Sequence, residues 1–313
     1  MSLLPKHLSE SAAVMAFLRG LINNYSGVDK GFMDDASAFK VGNKYVFFKI
    51  DGTSFRSSMY PWMTPSDLIY RVASGSVTDI IAKGGEPYGI AVSVGIPRDD
   101  NVGDVVRELG DGIADFLGRY GFRYMGGDMN SCEGDGWIDV AAVGLGERFI
   151  GNSPLRPGDS IYLTGCLGYS SIPALIHYSG LSEEFLTRVV DKVRRPALPL
   201  HFLKVGYVKA STDISDGLES LRRVLRINGV GLRLHDELPF CSEVADIMEE
   251  AELSPEEILY FLGEEFIVAY TGPGGAVLLG EIIDTHPGQI IYKGKVLSGG
   301  WDNFIGYINR GSV

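Results

Sequence analysis

Thr212-Asp213-Ile214-Ser215-Asp216-Gly217-Leu218 sets two carboxylates three residues apart, just ahead of a stretch with helical spacing. Asp213 and Ser215 suit the start of that helix, since Asp and Ser are favoured N-caps. Repetition argues for more than capping. Asp34-Asp35-Ala36, Asp51-Gly52-Thr53, Thr78-Asp79 and Gly126-Gly127-Asp128 also put aspartate beside glycine or small residues, mostly where an apolar run is interrupted or ends. Alone, Asp51-Gly52 could be a tight turn, and Asp67 reads as a helix cap. Carboxylates gathered at strand and helix ends repel one another unless cations lie between them. Hard cations with oxygen ligands, bound to a phosphate substrate, are their natural partners. The pattern points to a Mg²⁺–nucleotide site.

Composition narrows the setting. With 313 residues the chain is long enough for two domains, and 45% apolar with 22% charged residues is ordinary for a globular protein. Lys and Arg number 28 against 40 Asp and Glu, a formal charge of -12, which argues against a duplex-binding protein. The three cysteines (Cys132, Cys166, Cys241) include no close pair. They read against a disulfide framework or thiolate zinc site and for a reducing cytoplasm. The five histidines are dispersed, with no HExxH spacing. No apolar stretch has the length of a membrane span, and the N-terminus lacks a signal peptide's layout. The expectation is a cytoplasmic protein with neither nucleic acid nor membrane as partner.

Periodicity, read outward from the motif, gives alternating elements. Helices are predicted over 9–24, 66–83, 102–120, 170–178, 182–193, 217–227, 242–251 and 275–285. Strands are predicted over 45–50, 88–96, 137–146, 160–165, 230–235, 265–270 and 289–297. Two prolines and a Pro-Gly-Asp turn within 152–159 mark a boundary. The order predicts an α/β (α+β) chain of two domains, residues 1–148 and 149–313, meeting along a cleft.

Neither a GxxxxGK[ST] loop nor a dinucleotide GxGxxG is present, so ATP use must rest on metals rather than a lysine cradle. The aspartate series resembles the superfamily of ATP-dependent enzymes that includes thiamine-monophosphate kinase, aminoimidazole ribonucleotide synthetase, selenophosphate synthetase and the hydrogenase-maturation carbamoyl dehydratase. It looks most like the thiamine-monophosphate kinase family, over nearly the whole chain. Residues 212–218 reproduce that family's D-[IL]-S-D-G-L. Met33-Asp34-Asp35-Ala36 resembles G-D-D-A, Gly126-Gly127-Asp128 resembles G-G-D-T, and Thr78-Asp79-Ile80-Ile81-Ala82-Lys83-Gly84 resembles S-D-[IL]-A-A-M-G. Arg156-Pro157-Gly158-Asp159 resembles K-P-G-D, Gly263-Glu264-Glu265-Phe266 resembles G-E-D-Y, and Gly300-Trp301-Asp302-Asn303-Phe304 resembles G-[YW]-D-H-F.

The resemblance implies that Asp35, Asp51, Asp79, Asp128, Asp213 and Asp216 bind Mg²⁺ around ATP, with Asp79, Asp213 and Asp216 nearest the chemistry. It assigns Gly127, Asp128 and Ser215 to the nucleotide, and Ser58, Glu264 and Trp301 to the substrate, thiamine monophosphate. It also implies a homodimer: the N-terminal mixed sheet would pair across a two-fold axis into a β-barrel, burying strands 45–50 and 88–96, while the C-terminal domain would be α/β/α layered. Departures bear on the acceptor. Lys49-Ile50 precede Asp51 where the family has Thr or Ser before the aspartate. A substrate-contacting histidine falls at Ser58, and a nucleotide-contacting arginine at Asn152. Lys49 and Arg56 are the residues that could restore positive charge near phosphate. The other superfamily activities fit less well: no cysteine precedes Cys132, none lies at the C-terminal end, and Gly52-Thr53-Ser54-Phe55 matches G-V-G-T-K poorly. Two alternatives stay open: a relative acting on another small phosphorylated substrate, and a non-catalytic nucleotide-binding module.

Overall fold

The computed structural model describes residues 9–24, 34–56, 58–98, 101–272, 274–275 and 277–308; Met33 of the quoted motif lies outside them. Helix α1 (Glu10–Asn24) leads into β1 (Ser37–Val41), β2 (Lys44–Ser54), α2 (Pro65–Ala82), β3 (Glu86–Pro97), α3 (Val102–Tyr120), β4 (Arg123–Cys132) and β5 (Trp137–Gly146). The strands form a mixed sheet in the order β1-β2-β5-β3-β4, in which only β3 and β4 run parallel. Alternation fixes its two faces. Phe47 on β2 is buried, whereas Phe48 and Ile50 are 44% and 55% exposed. Lys49 and Asp51 therefore share Phe47's face, the one covered by α2.

Helix α2 is buried along most of its length, as expected of a helix packed on all sides. It starts in a capping box: Thr64 is the N-cap, Asp67 returns a bond to the Thr64 N–H, and Pro65 stands at the first helical position. Asp67 is thus the reciprocal partner rather than the cap itself, and its carboxylate also pairs with Arg194 and Arg195. The helix stops at Gly84-Gly85, where a Cβ on Gly85 would lie 2.8 Å from Phe47.

Beyond residue 159 come β6 (Ser160–Leu163), α4 (Ser171–Ser179), α5 (Leu186–Arg194), β7 (Ala210–Asp213), α6 (Leu218–Asn228), β8 (Gly231–Leu234), α7 (Ser242–Glu250), α8 (Pro255–Tyr260), β9 (Val268–Thr271), β10 (Val277–Ile283), β11 (Ile290–Tyr292) and β12 (Lys295–Val296). They build a second mixed sheet, β12-β11-β8-β10-β6-β9-β7, with one parallel pair, β8–β11. A hairpin of β13 (Trp301–Asp302) and β14 (Gly306–Tyr307) follows. Helix α1 docks on this hairpin: the Glu10 N–H donates to both carboxylate oxygens of Asp302 at 3.1 and 2.9 Å. The core between α2 and the first sheet also takes in Leu198, Phe202, Val208, Val268 and Tyr270 from the second half of the chain.

Three expectations are corrected. Residues 275–285 do not form a helix; 277–283 are strand β10, between β6 and β8. A short apolar run cannot be told from a buried helix by spacing alone. Pairing on both edges decides the matter, and Gly280 lets β8 come close, since a Cβ there would lie 2.3 Å from the Arg233 carbonyl oxygen. The single strand over 289–297 is two, broken at Lys293 and Gly294, both of which adopt positive φ. The third concerns the cysteines. Cys166 and Cys241 form a disulfide with a Cα–Cα distance of 4.9 Å. Their 75-residue separation hides a short bridge: the Leu167 N–H donates to the Pro239 carbonyl and the Cys241 N–H to the Leu167 carbonyl.

Candidate active site

The quoted motif folds as a polar strand end and a tight turn. Asp213 closes β7 and α6 begins at Leu218. Neither Asp213 nor Ser215 caps α6; the N-cap is Gly217, with no side-chain bond. The capping runs the other way: Ser220 Oγ accepts from the Ser215 and Asp216 N–H groups at 3.2 and 2.9 Å. Gly217 adopts φ +59°, and a Cβ there would sit 2.2 Å from the Leu262 carbonyl oxygen. Only glycine fits this turn.

Strand β7 meets the ends of α2 and β2 at a cleft of about 400 Å³. Asp51, Asp79, Asp213, Ser215 and Asp216 line one end of it. One carboxylate oxygen from each of Asp35, Asp79 and Asp213 lies within 4.8 Å of the other two. Asp35 is held against β7 by the Thr212 hydroxyl at 3.0 Å and the Asp213 N–H at 3.3 Å. Burial pushes the Asp213 carboxyl up to about 7, and the neighbouring Asp35 adds to the rise while Lys49 opposes it. Burial and Asp213 together hold Asp79 well above the usual aspartate range, against the pull of Lys49. Asp216 is pushed up to about 6 by burial, partly offset by its ion pair with Arg223. These acids are short of positive charge.

The chain supplies some of that charge itself. Lys49 Nζ lies 3.0 Å from Asp51 and 2.7 Å from Asp79. Burial lowers its pKa, but Asp79 and Asp51 outweigh burial and hold the ammonium well above the usual lysine value. Lys83, fully buried, pairs with Asp34 and Asp35 at 2.6 and 2.9 Å and donates to the Ser211 carbonyl. Arg71 reaches Glu264 at 2.7 Å and the Val193 carbonyl at 2.6 Å.

The other end of the cleft is aromatic. Tyr60, His177, Tyr178 and Tyr307 line it together with Met59 and Met63, while Trp301 joins it to the acidic end, its backbone N–H donating to the Asp216 carbonyl at 3.0 Å. Tyr60 meets His177 edge-on at 5.4 Å, and Trp301 meets Tyr307 at 5.0 Å. Burial pushes the Tyr60 hydroxyl up to about 12. Glu264 lies between the two ends, in reach of Arg71.

Of the residues singled out from sequence, Asp51, Ser58, Asp79, Asp213, Ser215, Asp216, Glu264 and Trp301 line this cleft, and Asp35 joins the carboxylate cluster. Gly127 and Asp128 are not brought there. Asp128 pairs with Ser93, Ser93 with Asp139 and Asp139 with Gly52, so Asp128 stands on the sheet face opposite Asp51. It is exposed, and its carboxylate accepts from Asn130 at 2.7 Å. Asn152 is drawn in differently, its N–H donating to Asp34 at 3.2 Å. Sequence reasoning passed over Lys83, Arg71, Arg223 and the three tyrosines. Lys83 carried a readable signal, a charge closing a helix that is otherwise apolar at its end. The tyrosines carried none, since distant segments assemble them.

Fold and site define a mixed α/β protein with an acidic, aromatic-ended cleft, and residues 33–147 match the family model described as AIR synthase related protein, N-terminal domain. Within that class the resemblance to the thiamine-monophosphate kinases is borne out. The thiamine-monophosphate kinase of Pyrococcus horikoshii is 28% identical over 270 residues, covering 85% of this chain and 83% of its own. That of Pyrococcus abyssi is 27% identical over 88% of this chain and 91% of its own. The solved structure of AaThiL complexed with AMPPCP and TMP superposes with a TM-score of 0.83 at 24% identity, covering 97% of this chain and all of that one.

Proposed function

We propose that this chain transfers the γ-phosphoryl group of ATP to thiamine monophosphate, giving thiamine diphosphate and ADP. The observation that carries the reading is the convergence of Asp35, Asp79 and Asp213 at one end of a cleft whose other end is aromatic, in a chain related along most of its length to thiamine-monophosphate kinases.

The donor set suits Mg²⁺: carboxylate oxygens only, close together and short of compensating charge. Asp35, Asp79 and Asp213 would hold the ion, and Asp51 and Asp216 extend the acidic wall along the cleft. Bound there, Mg²⁺ supplies neutralisation of the triphosphate and in-line alignment, most of what phosphoryl transfer requires. Ser215 presents its hydroxyl to the nucleotide from the turn before α6. A nucleotide role for Gly127 and Asp128 rests on the motif alone. The attacking phosphate oxygen of thiamine monophosphate is already ionised at neutral pH, so none of these residues has to remove a proton. Trp301 and the tyrosines offer flat surfaces to the acceptor's rings, and Glu264 offers a carboxylate to their positive charge. Ser58, which accepts from the Thr53 hydroxyl at 2.6 Å, lies on the acceptor's path.

A coupled assay of ADP release with Mg²⁺ and ATP, comparing thiamine monophosphate with thiamine, tests this. Thiamine diphosphate identified by mass supports the kinase. Binding of Mg²⁺–ATP without turnover redirects the search to another small phosphorylated acceptor, as the departures at Ser58 and Asn152 would permit. Asp79→Asn should abolish most turnover; unchanged activity would remove the metal site from the mechanism.

The same reading extends to assembly. Phe39, Val41, Phe48, Ile50, Trp137 and Leu145 leave an apolar surface on the outer face of the first sheet, each at least 37% exposed. Such a patch marks an interface, and a second copy closing a barrel over it is the occupant we propose. Residues 1–148 would form the dimerising domain and 149–313 an α/β/α layered domain that completes the cleft. Sedimentation of wild type against Phe48→Asp tests the dimer. Among the described residues no helix is long and apolar enough to cross a membrane. Use of ATP supports a cytoplasmic location, and the Cys166–Cys241 bond is compatible with it in the cytosol of hyperthermophiles.

A further inference from the structure

Lys49 stands two residues before Asp51 on β2, and the alternation of the strand turns both side chains toward α2 while Ile50 points away. Its ammonium lies 3.0 Å from Asp51 Oδ1 and 2.7 Å from Asp79 Oδ2, so it bridges carboxylates from a strand and a helix. That is the position a divalent ion would take if these two aspartates shared one. An ammonium has three N–H donors; two are committed to the aspartates, and Lys49 lines the cleft, where the third can meet a ligand. It is the one lysine among the described residues that line the cleft. Asp35, Asp79 and Asp213 still converge beside it, so three carboxylates remain that could hold an ion.

We propose that Lys49 is a resident cation of the site: it takes the place of one divalent ion between Asp51 and Asp79 and presents its remaining N–H to a phosphate oxygen of the nucleotide. Asp51 is then the lysine's counter-ion rather than a metal ligand. The site works with one ion fewer than its full set of aspartates would hold. The inference rests on reading the cleft as a metal–nucleotide site and narrows what that site contains.

The test counts ions. Mn²⁺ bound per chain is measured by electron paramagnetic resonance at saturating AMPPCP for wild type, Lys49→Met, Asp51→Asn and the double variant. Lys49→Met should bind one more Mn²⁺ than wild type, because it leaves Asp51 and Asp79 facing each other without a cation. Asp51→Asn should leave the wild-type count unchanged, and the double variant should lose the extra ion. Equal counts in wild type and Lys49→Met, or loss of an ion on Asp51→Asn alone, would overturn the role of Lys49 while leaving the metal site intact. Absence of nucleotide-dependent Mn²⁺ from every form would overturn both. Asp51→Asn only swaps an oxygen for an amide nitrogen, so it keeps the question decidable should Lys49→Met fail to fold.

Discussion

Lys83, fully buried at the C-terminal end of α2, holds its ammonium 2.6 Å from Asp34 Oδ1. The pair, extended to Asp35 and the Ser211 carbonyl, ties the first sheet's helix to β7 of the second. Burial alone would raise the Asp34 carboxyl, and Lys83 pulls against that rise. Removing one partner of a buried pair leaves a charge without compensation and costs about 3–5 kcal/mol. Lys83→Met should therefore lower the unfolding free energy, read from urea denaturation, by an amount in that range. Mg²⁺ should recover more stability in the variant than in wild type, because Asp34 and Asp35 become free to bind it. Equal Mg²⁺ increments in the two proteins would show that these carboxylates do not take up the ion.

The carboxylates themselves were legible because each sits where a local pattern ends: Asp79 near the close of an apolar helix, Asp213 at a polar strand end before the turn glycine. Their cations were legible only in part: Lys83 closes an apolar helix end, and Lys49 stands out by the departure from the family pattern ahead of Asp51. Its place was not legible, because only strand alternation and the packing of α2 put Lys49 between two aspartates. Asp128 stands apart from the cluster. Its Gly-Gly-Asp setting reads like the others, but one residue of register sends a side chain to the opposite face, and pairing with Ser93 sends Asp128 away from Asp51. Strand β7 escaped notice because Ser-Thr-Asp carries no apolar alternation; its burial comes from α2 and β9.

Gly217 is the residue on which the turn before α6 depends. A side chain there meets both an unfavourable φ of +59° and the Leu262 carbonyl, 2.2 Å from the Cβ position. Gly180 makes the comparison, since it has φ +73° but nothing within 4 Å of a Cβ. Gly180→Ala should cost about 1–2 kcal/mol from backbone strain alone. Gly217→Ala should cost roughly 2–4 kcal/mol, as a backbone collision adds to the strain. It should also weaken nucleotide binding by displacing Ser215. Urea denaturation and AMPPCP titration of both variants check this; equal losses at the two sites would mean that the loop bearing Leu262 yields freely.

The Cys166–Cys241 bond closes a loop of 75 residues that contains α4, α5 and α6. By chain-entropy reasoning, a cross-link of this span stabilises the fold by about 4 kcal/mol. Cys166→Ser with Cys241→Ser should lower stability by that order, and reductant should lower the wild-type melting temperature while leaving the double variant unmoved. A wild-type melt indifferent to reductant would show that the bond is not formed in solution.

Glu265 offers a pH test away from the acidic end of the cleft. Its carboxylate is buried and accepts from the Gly168 N–H at 3.1 Å, the Ser170 N–H at 3.0 Å and the Ser170 hydroxyl. Burial raises its pKa above the usual 4.5, and the bonds from Ser170 and Gly168 only partly offset that. An acid whose folded pKa is raised holds its proton more tightly when folded. Its contribution to stability is complete below pH 4.5 and is lost as the pH climbs through the folded value. Glu265→Gln does not titrate, so the melting temperature of wild type minus that of the variant should be greatest near pH 4.5 and fall toward neutrality. A wild-type advantage that grows with pH would mean that the three donors, rather than burial, govern this carboxylate.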